Sequence, residues 1–141
     1  MKIQTILITT LIATLALTSL TSCQESFDKR LHREAIEYTE NKCPQEVESG
    51  LMLDSVSYNI TSRTYTSFFS ANAANEQVLR SNSPLLHQML VTQLINNTDY
   101  KDVKDKGVTF RYVYYSQATK TVFYETTVTA NEYGISTGEK K

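Results

Sequence analysis

A chain of 141 residues with 40% hydrophobic, 21% charged and 10% aromatic side chains has the makeup of one globular domain, which sets aside disordered and fibrous classes. Its 14 basic and 15 acidic side chains nearly cancel, and no basic patch speaks for a nucleic-acid partner. Two cysteines, Cys23 and Cys43, are too few for a disulfide-dense scaffold.

Lys2 gives a minimal positive start, and Ile6 to Leu17 follow as an apolar stretch diluted only by Thr9, Thr10 and Thr14. That is the length of a signal-peptide core. A spanning helix wants about 20 predominantly apolar residues with anchoring flanks, whereas polar side chains thicken here through Ser19, Thr21 and Ser22. Leu20, Thr21, Ser22 and Cys23 then resemble a lipobox, the motif read by the processing machinery of bacterial lipoproteins. The resemblance implies cleavage between Ser22 and Cys23, a diacylglycerol thioether on Cys23 and a further acyl chain, such as palmitate, on the new amine. Two chains suffice for stable attachment at about 0.8 kcal/mol per buried methylene, so the domain itself needs no apolar membrane face. Gln24 after the cysteine is similar to an outer-membrane sorting signal, and Glu25 and Asp28 are similar to the acidic surface-export tether of Bacteroidetes lipoproteins. The expected organisation is a cleaved signal over 1–22, a lipidated tether over 23–26, one domain over 27–133 and a frayed tail over 134–141. With Cys23 lipidated, Cys43 is a lone thiol, and stability has to come from packing.

In the domain, Phe27, Leu31, Ala35 and Tyr38 recur at helical spacing among Asp28, Lys29, Arg30, Arg33, Glu34 and Glu37, predicting an amphipathic helix over Phe27 to Lys42. Pro44 stops it, because Cys43 is pushed out of the helical region and proline cannot continue the turn. Gly50 to Asn59 and Thr64 to Ser70 are rich in β-favouring side chains with partial alternation, and predict a hairpin closed through Ile60, Thr61 and Ser62. Asn72 and Asn75 introduce a helical region broken at Pro84: a short segment before Ser83, read as an N-cap, and a longer one to about Asn97 with Leu86, Leu90 and Leu94 toward the core and Leu79 aligned with them. Val108, Phe110, Tyr112 and Tyr114, then Val122, Tyr124, Thr126 and Val128, alternate along two further strands joined through Ser116 to Lys120. The fold class expected is α+β: a two-layer sandwich with a four-stranded antiparallel sheet and two helical stretches on one face, in the order α-β-β-α-β-β.

Candidate chemistry is sparse. A Cys43 thiolate with His32 or His87 as its base is the arrangement of a nucleophilic enzyme, but a helix C-terminus disfavours a thiolate, and the ordinary alternative is a packed cysteine. Glu25, Asp28 and Glu34 lie near His32 in sequence, yet no His or Cys pair has ligand spacing, so no metal and no cofactor is expected. Asp99, Asp102 and Asp105 are interleaved with Lys101, Lys104 and Lys106, the composition of a solvated loop; Asp54 is the remaining carboxylate weighed. Aromatic content is the feature without an obvious use. If strands alternate, some of Tyr112, Tyr114, Tyr115, Phe123 and Tyr124 lie away from the helices, where Tyr112, Tyr114, Tyr115 and Tyr124 form a possible binding face for a glycan or an envelope protein; the alternative is that tyrosine merely decorates an open sheet.

Asn41 to Pro44, Leu53 to Ser55 and Gly107 to Tyr115 also resemble a group of small exported bacterial proteins of uncharacterised function. Members of that group carry a second cysteine near the middle helix, where Ser83 stands here, so that resemblance implies no disulfide in this chain. The function expected is that of a membrane-anchored envelope lipoprotein, a non-catalytic binding or assembly module held at the bilayer by Cys23 and more at home in the outer membrane than the inner. A structural or accessory lipoprotein of an envelope complex is the alternative, and an enzyme the less favoured one.

Overall fold

The computed structural model describes residues 25–134. The predicted signal, with Leu20, Thr21, Ser22 and Cys23, and the tail beyond Gly134 lie outside the described residues. Helix α1, Phe27–Lys42, is started by Ser26, whose hydroxyl accepts from Lys29 N, with Asp28 in the first turn and Lys42 in the last, each at the end where the helix dipole favours its charge. Leu31 and Ala35 are buried as predicted, but Tyr38 is 39% exposed and donates its hydroxyl to Gln45. Thr39, one residue on, takes the inward place at the i, i+4 step from Ala35.

Beyond Pro44 come five strands where four were expected: β1 Gln45–Glu48, β2 Leu51–Asn59, β3 Thr64–Ala71, β4 Thr109–Ser116 and β5 Val122–Val128. Between β3 and β4 lie three helices, α2 Ala73–Ser81, α3 Ser83–Asn96 and the short α4 Lys101–Asp105. The sheet follows chain order, β1-β2-β3-β4-β5. Its neighbours are antiparallel except for β3 and β4, which run parallel from Thr64↔Thr109 to Ala71↔Ser116. The expectation of a purely antiparallel sheet is therefore corrected. The helical stretch between β3 and β4 carries the chain back along the sheet, which a hairpin turn cannot do, and parallel pairing needs that crossover. α3 also differs in its start: Asn82 precedes it, Ser83 is its first residue with Pro84 behind it, and no side chain caps it.

β1 was missed because Gln-Glu-Val-Glu has neither alternation nor bulk, and all four residues are exposed. It covers only the first part of the β2 edge, pairing with Leu51, Met52 and Leu53. Farther along, α1 covers that edge. Thr39 Oγ1 accepts from Val56 N at 2.9 Å and donates to Val56 O at 2.8 Å, and His32 Nδ1 lies 2.7 Å from Tyr58 O. Backbone groups that a neighbouring strand would have taken are thus satisfied by two helix side chains.

Both long helices sit on one face. Leu31 and Ala35 of α1 and Val91 and Leu94 of α3 pack with Val56, Tyr58, Tyr65, Val108, Phe110 and Val128 into the main core. A second cluster, Leu86, Leu90 and Tyr114 with Leu51, Phe69, Leu79, Tyr112, Phe123 and Tyr124, fills the end nearer α2. α4 holds the end of α3: Lys104 Nζ donates to the carbonyls of Leu94, Ile95 and Asn97 at 2.7, 3.0 and 2.8 Å, satisfying acceptors that a helix C-terminus leaves open. The β1–β2 turn fixes α2. Gly50, at φ +78°, accepts from Asn72 N, and the Asn72 side chain caps α2 at Asn75 N while Asn75 Nδ2 donates to Ser49 O.

Candidate functional site

α1 packs against β2 and α3 against β5, so the floor between them is closed at the main-core end and open toward β1. The opening is a groove of about 390 Å³. Its floor is Leu51, Leu53, Ser67, Phe69, Tyr112 and Tyr114; one wall is the flank of α3 bearing Leu86, Met89, Leu90, Gln93 and Asn97; the other is Val47 and Glu48 of β1. The floor is apolar because a β-bulge between Leu53 and Ser55 lets Leu51, Leu53, Val56 and Tyr58 all turn inward, where strict alternation would have switched faces. Apolar character continues onto the rim: Met89 is 60% exposed and Val47 43%. Burial pushes the Tyr112 phenol upward and that of Tyr114 up to about 12, with neighbouring phenols, and for Tyr114 the Glu48 carboxylate, adding to the rise. Near neutrality both are uncharged hydroxyls in an apolar trough, suited to hydrogen-bonding an occupant rather than to proton transfer.

The four tyrosines read from the sequence as one face do not share a face. Tyr112, Tyr114 and Tyr124 belong to the helix-covered side, Tyr114 stacking on Phe69 at 5.0 Å between ring centroids and lying 5.9 Å from Tyr124. Register explains it: Tyr112 pairs with Thr126 and Tyr114 with Tyr124, and Tyr115, the next residue along β4, turns to the other side; the shift there skips Phe123 of β5, which also lies beside Tyr114. There Tyr115 pairs with Phe68 at 6.5 Å, and the surrounding surface carries the Arg111–Glu125 ion pair and the Asp54–Ser70 hydrogen bond. Val47, Phe69, Met89, Gln93 and Asn97 were not singled out from sequence. Met89, one step around the helix from Leu90, was the available signal that the α3 stripe widens beyond a core-only face.

The other candidates are placed as follows. Cys43 follows α1, half-buried, its thiol pushed up by burial and then by Asp54, the opposite of an activated nucleophile. His32 is engaged by Tyr58 O. His87 bridges Thr126 Oγ1 and Glu132 Oε1, both at 2.7 Å, tying α3 to β5 and the C-terminal turn; none of these three lines the groove. Asp28 accepts from Tyr58 OH at 2.6 Å and Arg63 Nε at 3.1 Å, which hold its carboxyl below the usual range. Among the described residues no three His, Cys, Asp or Glu side chains are grouped to hold a metal ion, and no helix is long and apolar enough to cross a membrane.

Three solved structures are similar in fold. A candidate secreted protein of Pseudomonas aeruginosa matches with a TM-score of 0.65 at 17% identity, over 75% of this chain and 91% of that one. The type 2 secretion system pilotin of Vibrio vulnificus matches with a TM-score of 0.52 at 15% identity, over 77% and 96%. The type II secretion system pilotin of Vibrio cholerae matches with 0.51 at 17%, over 74% and 90%. At such identities the likeness establishes the architecture, an α+β domain with a five-stranded sheet. No curated protein matches the sequence. A family profile matches residues 26–124, nearly all of the helix-and-sheet body, and the chain accordingly belongs to the family described as Domain of unknown function (DUF8479).

Proposed function

We propose that this chain is a lipid-anchored accessory module of the bacterial envelope, tethered through Cys23 and holding a partner protein in the groove between α3 and β1. The observation that carries the reading is the groove itself, whose apolar lining runs out onto the exposed side chains of Met89 and Val47. A small ligand would be swallowed by the floor and leave that rim wet; a protein segment covers both. The pilotins of similar fold belong to secretion systems, which supports an accessory role beside an envelope assembly. The sequence supports the anchor, because Leu20 to Cys23 resemble a lipobox and two acyl chains suffice to hold a water-soluble domain at a bilayer. Neither element requires catalysis: Cys43 is held protonated, and the histidines are engaged by structural bonds.

The test combines anchor and groove in living bacteria. Metabolic labelling with an alkyne palmitate analogue is expected to mark the parent, concentrate it in outer-membrane fractions and leave Cys23→Ala unlabelled. A photo-crosslinking amino acid at Met89 is expected to trap an envelope protein that the same group at Thr127, on the outer sheet face, does not. An unlabelled soluble parent would refute the anchor, and equal trapping from both faces would refute the groove.

A further inference from the structure

We infer that the occupant of the groove is an amphipathic helix of a partner protein, apolar along one stripe and basic on the flank that meets β1. The inference rests on the binding reading above and narrows it to one chemistry. Length argues first. The α3 flank that walls the groove runs from Leu86 to the end of the helix at Asn96, about 15 Å at 1.5 Å per residue, which is roughly three turns of a helix laid alongside. Layering argues second. The face carries α1 at one side and α3 at the other, and among the described residues no helix covers the sheet between them toward β1. A helix there would complete the layer, with its apolar stripe on Leu51, Leu53 and Phe69.

An extended segment is the competing occupant, and it would have to add to the free edge of β1. That edge is four residues long, and its register shifts between Glu46 and Glu48, an irregularity that interrupts strand pairing. Charge fixes the flank. Among the described residues Glu48 is the one charged residue lining the groove; Glu46, earlier on the same strand, accepts from Gly50 N at 2.9 Å and is not part of the lining. Two cations on the elements flanking the groove are engaged elsewhere: Lys104 by the carbonyls that end α3, and Arg80 of α2 by Glu76 at 2.8 Å. Lys or Arg on the occupant would find a carboxylate across the rim, and Asp or Glu would be repelled.

Three synthetic peptides decide it: a stapled three-turn helix with a Leu stripe and a Lys flank, its Glu-flanked twin, and a proline-broken copy of the Lys peptide. Each is titrated by fluorescence anisotropy against the chain from Gln24 onward, carrying Met89→Glu or Glu48→Lys where stated; both positions are exposed, and circular dichroism confirms the fold. The Lys helix is expected to bind about tenfold more tightly than the Glu helix, Glu48→Lys to reverse that preference, and Met89→Glu to abolish binding of both. Equal binding of the twins, or undiminished binding by the proline-broken peptide, overturns the basic-helix assignment while cross-linking from Met89 still supports a partner in the groove. Absence of binding by all three overturns it as well, and if cross-linking from Met89 is also no greater than from Thr127, the groove reading falls with it.

Discussion

Replacing Gly50 by Ala should be among the most damaging single-methyl additions in this domain. Gly50 sits at φ +78°, where a side chain costs about 1–2 kcal/mol, and a Cβ built there overlaps Nδ2 of Asn72. Asn72 is the N-cap of α2, so displacing it forfeits a capping bond as well, about 1 kcal/mol. The two effects come to about 2–3 kcal/mol, or a fall in Tm of roughly 10–20 °C for a domain of this size. Thermal and urea unfolding of the chain from Gln24 onward, followed by far-UV circular dichroism, measure it. A thermodynamic cycle tests the cause. Asn72→Ala alone loses only the cap, and in the double variant the small side chain at 72 no longer obstructs the new methyl. The double variant should therefore be scarcely less stable than Gly50→Ala alone, a coupling of about 1 kcal/mol against the few tenths expected of independent sites. Additive losses, or a Gly50→Ala protein as stable as the parent, would refute the contact between the β1–β2 turn and the start of α2.

Leu94→Ala, truncating a side chain 2% exposed, should cost about 3 kcal/mol by urea denaturation, whereas Met89→Ser at the groove rim should stay within about 0.5 kcal/mol; comparable losses would mean that the groove is closed in solution. Lys104→Met keeps the stem but withdraws three donors from the end of α3, and a loss of about 1–2 kcal/mol is expected from the same transition; an unchanged midpoint would remove Lys104 as the cap. Tyr58 first and Arg63 second hold the Asp28 carboxyl below its unfolded value of about 3.9, so its contribution is present above that value and lost as pH falls through the lower folded one. The stability gap between the parent and Asp28→Asn should thus narrow on acidification below about pH 4, and a gap that holds or widens in urea titrations there would reverse the sign.

The periodic elements were legible in the sequence, because the stripe of Leu31 and Ala35 and that of Leu86, Leu90 and Leu94 is set by burial of one helical face. Tyr38 was misplaced for a local reason: at i+3 from Ala35 it is as plausible an inward position as Thr39, and only the open edge of β2, with Val56 needing both a donor and an acceptor, selects the threonine. Parallel pairing of β3 with β4 has no local signature, since it depends on where three intervening helices set the chain down. The tyrosines show the same limit. Alternation by itself separates Tyr115 from Tyr112 and Tyr114, so grouping all four tyrosines as one face ran against it; and because Val113 and Phe68 make the outer face nearly as apolar, nothing local said which face the helices would cover. The groove was invisible for a related reason: it lies where no helix of the described residues covers the sheet, and that gap depends on how distant elements pack.

The proposed tether and the groove bear on each other through geometry. α1 begins where Asp28 meets Tyr58 and Arg63, at the β2–β3 turn, so a chain anchored a few residues before Phe27 approaches the domain from that end. The Leu51, Phe69 and Tyr114 end of the groove lies at the start of β2, seven residues from Tyr58 and thus about 23 Å away along the strand. An anchor at one pole leaves that end of the groove facing away from the bilayer. Under the proposed attachment through two acyl chains, exposed Met89 and Val47 would not be needed as a membrane foot. The proposed partner would then arrive from the far side, and it is there that the cross-linking group at Met89 is expected to trap it.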